Sequence, residues 1–463
     1  MERTGSLMKT KHTLLRTAAA LLALVLLLLS AVSCSGRGKA LMTLKKDGVS
    51  VSLSINEYEL MLSRMKGSLS FYGVTKNGAT ALEDAFWEVQ DKFDGENFQT
   101  HDEYYRATIL ENAKAYLAAA YLFEKNGLSL SETQRQEIAD AMTELLRVDG
   151  DGSKTKLNSV LANYGMNYAM LEDFYELEQK MTVLKSHLYG ENAEKVGDVV
   201  KTEYMNDHYV HFKQIFLASY LYVCETDKNG DVIYYRTEEG STNRIYYDAD
   251  NGEARKLEDG SLEKDKNGDV IYYVKGSDYG HIAYNVKGKT TYVATKDGSD
   301  YEKREMTADE LKALESRANT LLDEVKGLSS TAFEAKILEE SDDTADNSEY
   351  GDGYYLRRDL DYTASGESYA YLDSIVEKLD TMQEGEVTMV KSNFGYHIVK
   401  KYAHTEKAYE NEANEAWFEN FNARLIDELF LAECQALYAD IKIDEAILAK
   451  APSMKEVAPN YNY

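Results

Sequence analysis

The chain has 463 residues, enough for more than one domain with its own core. Its formal net charge is −28, from 52 Lys and Arg against 80 Asp and Glu, which excludes the clustered positive charge that nucleic-acid binding requires. Thirty-six tyrosines stand beside only two prolines, Pro452 and Pro459, so broad rings with polar tips are plentiful and slow X–Pro steps in its own folding are few.

The first segment reads as a targeting signal. Lys9, Lys11 and Arg16 precede the apolar run 17–34, TAAALLALVLLLLSAVSC, a basic region followed by a hydrophobic one. The run is short for a membrane span. Ala31-Val32-Ser33 place small side chains before Cys34, a pattern similar to a bacterial lipobox with Ala31 in place of the usual leucine. That resemblance implies cleavage after residue 33, a lipid on Cys34, and a flexible tether over residues 34–40. Cys224 and Cys434 are compatible with a pair or with two buried thiols.

Residues 41–55 alternate weakly around Asp47-Gly48 and predict a short hairpin. From 57 to 205 the period becomes helical. Tyr105, Ile109, Ala113, Tyr116, Ala120 and Phe123 form one apolar stripe, and Asn126-Gly127 ends it. Ser131-Glu-Thr-Gln134 predicts a capping box at the next helix. The loop VDGDGSKTK at 148–156 hints at calcium, but lacks the position-six glycine and terminal glutamate of a calcium loop, and no metal is assigned.

Residues 209–224 are β-rich. A β-type insert follows over 225–303, in which DKNGDVIYY occurs at 227–235 and again at 265–273. Asn-Gly and Asp-Gly steps there, including Asp259-Gly260 and Asp297-Gly298, predict hairpins in a small meander. Its tyrosine pairs read as cross-strand stabilisers or as a ligand surface. Thr307-Ala-Asp-Glu310 opens a further helix, 333–341 predicts a second, and Leu372, Ile375, Val376 and Leu379 mark a third. A Gly385-Glu386-Val387 turn leads to the strand NFGYHIVKK at 393–401. One or two helices are predicted over 406–449 and disorder after Ala451.

With the insert removed, the order from residue 209 is βαααβ. The stretches FKQIFL (212–217), SDDTADNSEYGDGYY (341–355), GEVTMV (385–390) and NFGYHIVKK (393–401) resemble the strand and loop motifs of parvulin-type peptidyl-prolyl isomerases. Together with the lipobox, the helical run containing YLFEKNGLSLSE (121–132) and the returning C-terminal helix, they resemble PrsA/SurA-like extracytoplasmic foldase lipoproteins. The expected class is α+β. A helical chaperone domain (41–205 with a C-terminal helix over 406–450) carries an inserted parvulin-like domain (206–405, with the insert 225–303), and a tail spans 451–463.

The resemblance carries over residue by residue. His397 matches the second family histidine, and Asp343 the acid or cysteine position. Gln214 stands where the first family histidine belongs, so it can exchange hydrogen bonds but cannot titrate. His211, three residues earlier, falls on the opposite strand face. Tyr355, or Tyr354 by a one-residue slip, replaces the pocket phenylalanine, and Leu372 and Phe394 supply apolar walls. No cofactor is implied. The expected partners are unfolded or newly secreted polypeptides and, through Cys34, the outer face of the bacterial cell membrane, and the helical domain is compatible with a homodimer. Two alternatives stay open. One is a non-catalytic peptide-binding holdase. The other is a surface adhesin or glycan binder using the tyrosine-rich insert.

Overall fold

The computed structural model describes residues 38–93, 99–222, 228–230, 233–237, 244–264, 270–273, 283–284, 293–294, 303–343 and 351–463. The signal segment, Cys34, Cys224 and the Asp297-Gly298 step lie outside the described residues. So do parts of the insert.

In chain order, strands β1 (Ala40–Lys46) and β2 (Val49–Ser54) lead into helices α1 (Ile55–Phe71), α2 (His101–Lys125), α3 (Glu132–Val148) and α4 (Tyr168–Tyr189). Helix α5 (Asp198–His208) runs into β3 (Tyr209–Ala218). After the insert come α6 (Ala308–Val325), α7 (Ser330–Glu340), β4 (Tyr354–Arg357), α8 (Ala370–Thr381), β5 (Val387–Ser392) and β6 (Gly395–Tyr402). Helix α9 (Phe421–Gln435) and β7 (Ile441–Ile443) follow. The class is α+β.

Local chemistry sets several of these boundaries. Ser131 with Gln134 and Thr307 with Glu310 form reciprocal capping boxes at the starts of α3 and α6, each satisfying two orphan amide donors. Asn126 caps the end of α2, and Gly127 takes the left-handed conformation after it. Of the helix expected over 406–450, α9 and a one-turn helix at Glu445–Leu448 form, and the first part does not. Glycine-free 3₁₀ turns occupy Ala408–Asn414 before α9, and the chain then returns to a strand.

Two compact units result, Met1–Val196 with Asn422–Tyr463, and Gly197–Phe421. In the first, β1 is central to a three-stranded antiparallel sheet, order β7-β1-β2. Its core joins Leu44 and Leu53 to Phe86, Trp87, Tyr121, Phe174 and Phe430. Cys434 is a buried free thiol in that core.

The expectation of disorder after Ala451 is also corrected. Met454, Val457 and Tyr463 are buried in the core of the first unit. Tyr463 donates from its hydroxyl to Asp149 (2.6 Å), and Asn460 donates its amide N–H to the Ser63 carbonyl (2.9 Å). Lys66 is buried and spends its ammonium on the Met454 and Lys455 carbonyls, at 2.8 and 3.0 Å. The tail passes so close that a Cβ on Gly67 would sit 1.9 Å from the Asn460 carbonyl oxygen.

In the second unit the sheet order is β4-β3-β6-β5, all antiparallel. Strand alternation gives it two apolar faces. Ile215, Leu217, Tyr396 and Ile398 pack on α6 and α7 through Leu314, Leu321, Phe333 and Ile337. Val210, Phe212, Val390 and Val399 pack on α8 through Ile375 and Leu379. Within the insert, short strands order as Arg244–Tyr247, Tyr234–Thr237, Ala283–Tyr284, Val293–Ala294, while Tyr272–Tyr273 pairs with Glu253–Ala254. Among the described residues the two copies of the repeat thus place their Tyr-Tyr pairs in different sheets. The Asp259-Gly260 turn is present, flanked by a Lys256–Leu262 bridge.

Deleting residues 452–463 removes three buried apolar side chains and the carbonyls around Lys66. It is expected to cost the first unit on the order of 5 kcal/mol, read as a lowered denaturant midpoint in urea titrations.

Candidate functional site

The site begins with the register between β3 and β6. Gly395 pairs with Ala218, His397 with Phe216, and Val399 with Gln214. Gly395 adopts φ of 147°, and a Cβ there would meet the Leu217 carbonyl oxygen at 1.9 Å. Only glycine lets the two backbones close at this point. Gln214 and His397 therefore share one sheet face, the face that packs on α8.

Their side chains form a chain of hydrogen bonds whose direction is determined by its acidic end. The Asp343 carboxylate can only accept, so the Gln214 amide turns its Nε2 donor to Asp343 Oδ2 at 2.8 Å. This leaves Gln214 Oε1 facing His397 Nδ1 at 3.0 Å, and that nitrogen must carry the proton. The bare Nε2 then accepts from the Ser392 hydroxyl at 2.8 Å, whose oxygen in turn accepts the Phe394 amide at 3.1 Å. The Tyr354 hydroxyl also donates to Asp343 Oδ2. His397 is 3% exposed, and burial pushes its imidazole down to about 4 against the pull of the Asp343 carboxylate. It is neutral at pH 7, in the Nδ1–H tautomer.

Asp343 is held by the strand it faces. Ser341 Oγ accepts the Phe216 and Asp343 amides at 3.0 and 3.1 Å. Asp342 takes the Ala218 amide at 2.9 Å and gives its own N–H to the Phe216 carbonyl. The Ser-Asp-Asp run is thereby zipped along the end of β3.

Aromatic rings close over the histidine. Tyr371 stacks on it with centroids 4.6 Å apart and Phe216 lies at 4.8 Å. Phe394, 41% exposed, meets Tyr371 edge-on at 6.0 Å. Leu372 is half-buried against the α8-side core. The result is an apolar aromatic rim over a polar row with one formal charge.

Of the residues singled out from sequence, the structure brings His397, Gln214, Asp343 and Tyr354 into one network and puts Phe394 on its rim. Tyr355 is a correction. Strand alternation turns it to the opposite face, where it stacks on His211 at 4.2 Å and donates to Asp352 at 2.9 Å. His211 is on that far face, as its spacing from Gln214 predicts. Its ring nitrogens each lie 2.6 Å from a backbone carbonyl, those of Ala403 and Asp352. Burial pushes His211 down, while the two carbonyl acceptors favour a second N–H.

Ser392, Tyr371 and Phe216 were missed. Ser392 was findable, because the two-residue Asn393-Phe394 turn and period-two counting put it on the same face as His397. Tyr371 had no such signal, since its helix reaches the sheet only through tertiary packing.

Residues 280–405 match the model of the PPIC-type PPIASE domain. The chain carries a PPIC-type, parvulin-like domain. The matched segment runs through β6 and omits β3, which pairs into the same sheet. No curated protein matches the sequence. Among solved structures, PrsA from Bacillus subtilis is 15% identical, covering 79% of this chain and 94% of that one, at a TM-score of 0.18. The foldase protein PrsA from Streptococcus pneumoniae is 13% identical (78% and 98% covered, TM-score 0.19). Foldase protein PrsA from Lactococcus lactis is 11% identical (89% and 98% covered, TM-score 0.19). Superpositions this poor add no weight, and the identification of the PPIC-type domain stands on its sequence match.

Two predictions test the site. Gly395→Ala is expected to destabilise the PPIC-type domain by about 3 kcal/mol or more and to be visible as a lowered melting midpoint. The second concerns pH. A histidine held below its unfolded value of 6.5 binds fewer protons folded than unfolded, so its stability contribution is complete above that value and is lost as pH falls towards about 4. The loss for His397 is on the order of 3 kcal/mol. His404, pushed to about 4 by burial and then by neighbouring His211, adds to it. Urea midpoints measured between pH 7.5 and pH 4 should fall through this window, less steeply in His397→Gln, and ¹⁵N NMR at pH 7 should show His397 protonated at Nδ1 alone.

Proposed function

We propose that the chain is a membrane-tethered extracytoplasmic foldase that assists secreted proteins. Its PPIC-type domain takes X–Pro segments against the His397 face, and the lipid anchor is Cys34. The observation that supports this best is the Ser392–His397–Gln214–Asp343 row beneath the Phe216, Tyr371 and Phe394 rim.

The chemistry asked of such a site is modest. Amide resonance raises a barrier of about 18–20 kcal/mol to rotation, and no covalent intermediate is required. The twisted amide has lost resonance and hence charge separation, so a dry apolar wall favours it over the planar ground state. Phe216, Tyr371 and Phe394 supply that wall. His397 is neutral at pH 7 and Gln214 does not titrate. They hold the floor in a single arrangement, with the Asp343 charge at its far end setting every bond direction.

A second reading draws on one observation. Both His397 ring nitrogens are already engaged, by Ser392 and Gln214, so the row is complete without substrate. This favours a peptide-binding holdase with weak or no isomerase activity. A protease-coupled assay on an Xaa-Pro peptide separates the two. The foldase reading expects measurable turnover in the wild type and about a tenfold rise in kcat/KM for Gln214→His. Absence of turnover in both leaves the holdase. Independently, the purified protein should suppress aggregation of an unfolded client; failure at several-fold excess removes the chaperone function altogether.

A further inference from the structure

The first unit contains an unclosed strand edge inside a groove. Asp47 and Gly48 both have positive φ, 49° and 82°, which makes the β1–β2 connection a type I′ turn closed by the hydrogen-bonded pair Lys46–Val49. Antiparallel alternation then directs the backbone groups of Val49, Val51 and Leu53 towards β1. Ser50 and Ser52, both exposed, direct their N–H and C=O groups the other way. Among the described residues no strand lies beyond β2, which ends the sheet order β7-β1-β2.

This edge opens into a groove of about 600 Å³ lined by all six residues of β2. Leu117 and Ala120 of α2 and Met170 and Leu177 of α4 give it apolar walls. Four carboxylates also line it, Glu57, Glu124, Asp173 and Glu176, against a single ammonium, Lys180. Glu124 and Glu176 share that ammonium at 3.6 and 3.0 Å while keeping about half of their side chains in solvent.

We infer that this groove binds an extended polypeptide by strand addition at the free edge of β2, and that its preferred occupant alternates apolar with basic residues. An unpaired edge offers main-chain donors and acceptors at the strand spacing, which any extended segment can meet irrespective of sequence. Val49–Ser52 present about 13 Å of such edge, and it ends at Ser54, whose N–H is held by the Glu57 carboxylate at 2.5 Å. Period two then sends one set of the guest's side chains towards Leu117, Ala120, Met170 and Leu177 and the other towards the groove mouth, where the net negative lining selects cations. The groove is lined wholly by residues of the first unit and does not depend on isomerase activity.

The test is fluorescence anisotropy of the purified protein with a labelled peptide alternating Lys with Val and Thr. Two control peptides are used, one with Glu for Lys and one N-methylated at alternate residues to remove one row of amide donors. Binding of the Lys peptide is expected, weakened about tenfold or more by N-methylation, by Glu for Lys, by Glu124→Gln/Glu176→Gln, and by Ser52→Pro, which removes an outward N–H while sparing the β1 ladder. Far-UV circular dichroism and urea titration check that each variant is folded; if Ser52→Pro is not, the N-methylated peptide still decides. Equal binding of methylated and unmethylated peptides, or of acidic and basic ones, overturns the inference. So does a lack of binding combined with a homodimer that Ser52→Pro dissociates, which would assign the edge to a second copy of the chain.

Discussion

The hydrogen bond from His397 Nδ1 to the Gln214 amide exists only because two strands 183 positions apart in sequence run side by side in one register. A slip of one residue would turn every side chain of β6 to the other face. His397 would then enter the α6–α7 core and Ile398 would face Asp343. Gly395 fixes the register by letting β6 approach Leu217 more closely than any side chain allows.

From that contact the electrostatics follow. Asp343 carries the charge, Gln214 transmits its direction, and His397 is left neutral by burial. A histidine at position 214 would put two titratable rings in the row, with coupled protonation. Glutamine makes the row insensitive to proton number at that position, in exchange for a fixed polarity. The same residue therefore stabilises the domain and limits the site to hydrogen-bond and packing effects.

In the first unit, backbone groups join the two ends of the chain around the apolar core. Its sheet is only three strands wide. One outer strand, β7, comes from the far end of the chain, and the tail beyond it supplies carbonyls for a lysine buried in α1. A short helix-backed sheet of this kind covers one face well and leaves an edge exposed at β2.

Much of this was legible along the chain. Capping boxes at Ser131 and Thr307, the turn at Asp47-Gly48 and the end of α2 at Asn126 are local, because the groups that satisfy the backbone lie within four residues. His397, Gln214 and Asp343 were found as strand and loop motifs, and the opposed face of His211 followed from period two. Tertiary structure alone decided the rest. The phase of β4 sets Tyr354 rather than Tyr355 beside Asp343, because it depends on where pairing resumes after the 344–350 segment. Tyr371 reaches His397 through helix packing, and the order of the last thirteen residues rests on Gly67 and Lys66, nearly four hundred positions away. Sequence sets the contacts that a few neighbouring residues can complete; contacts between distant segments exist only once the core has chosen which faces meet.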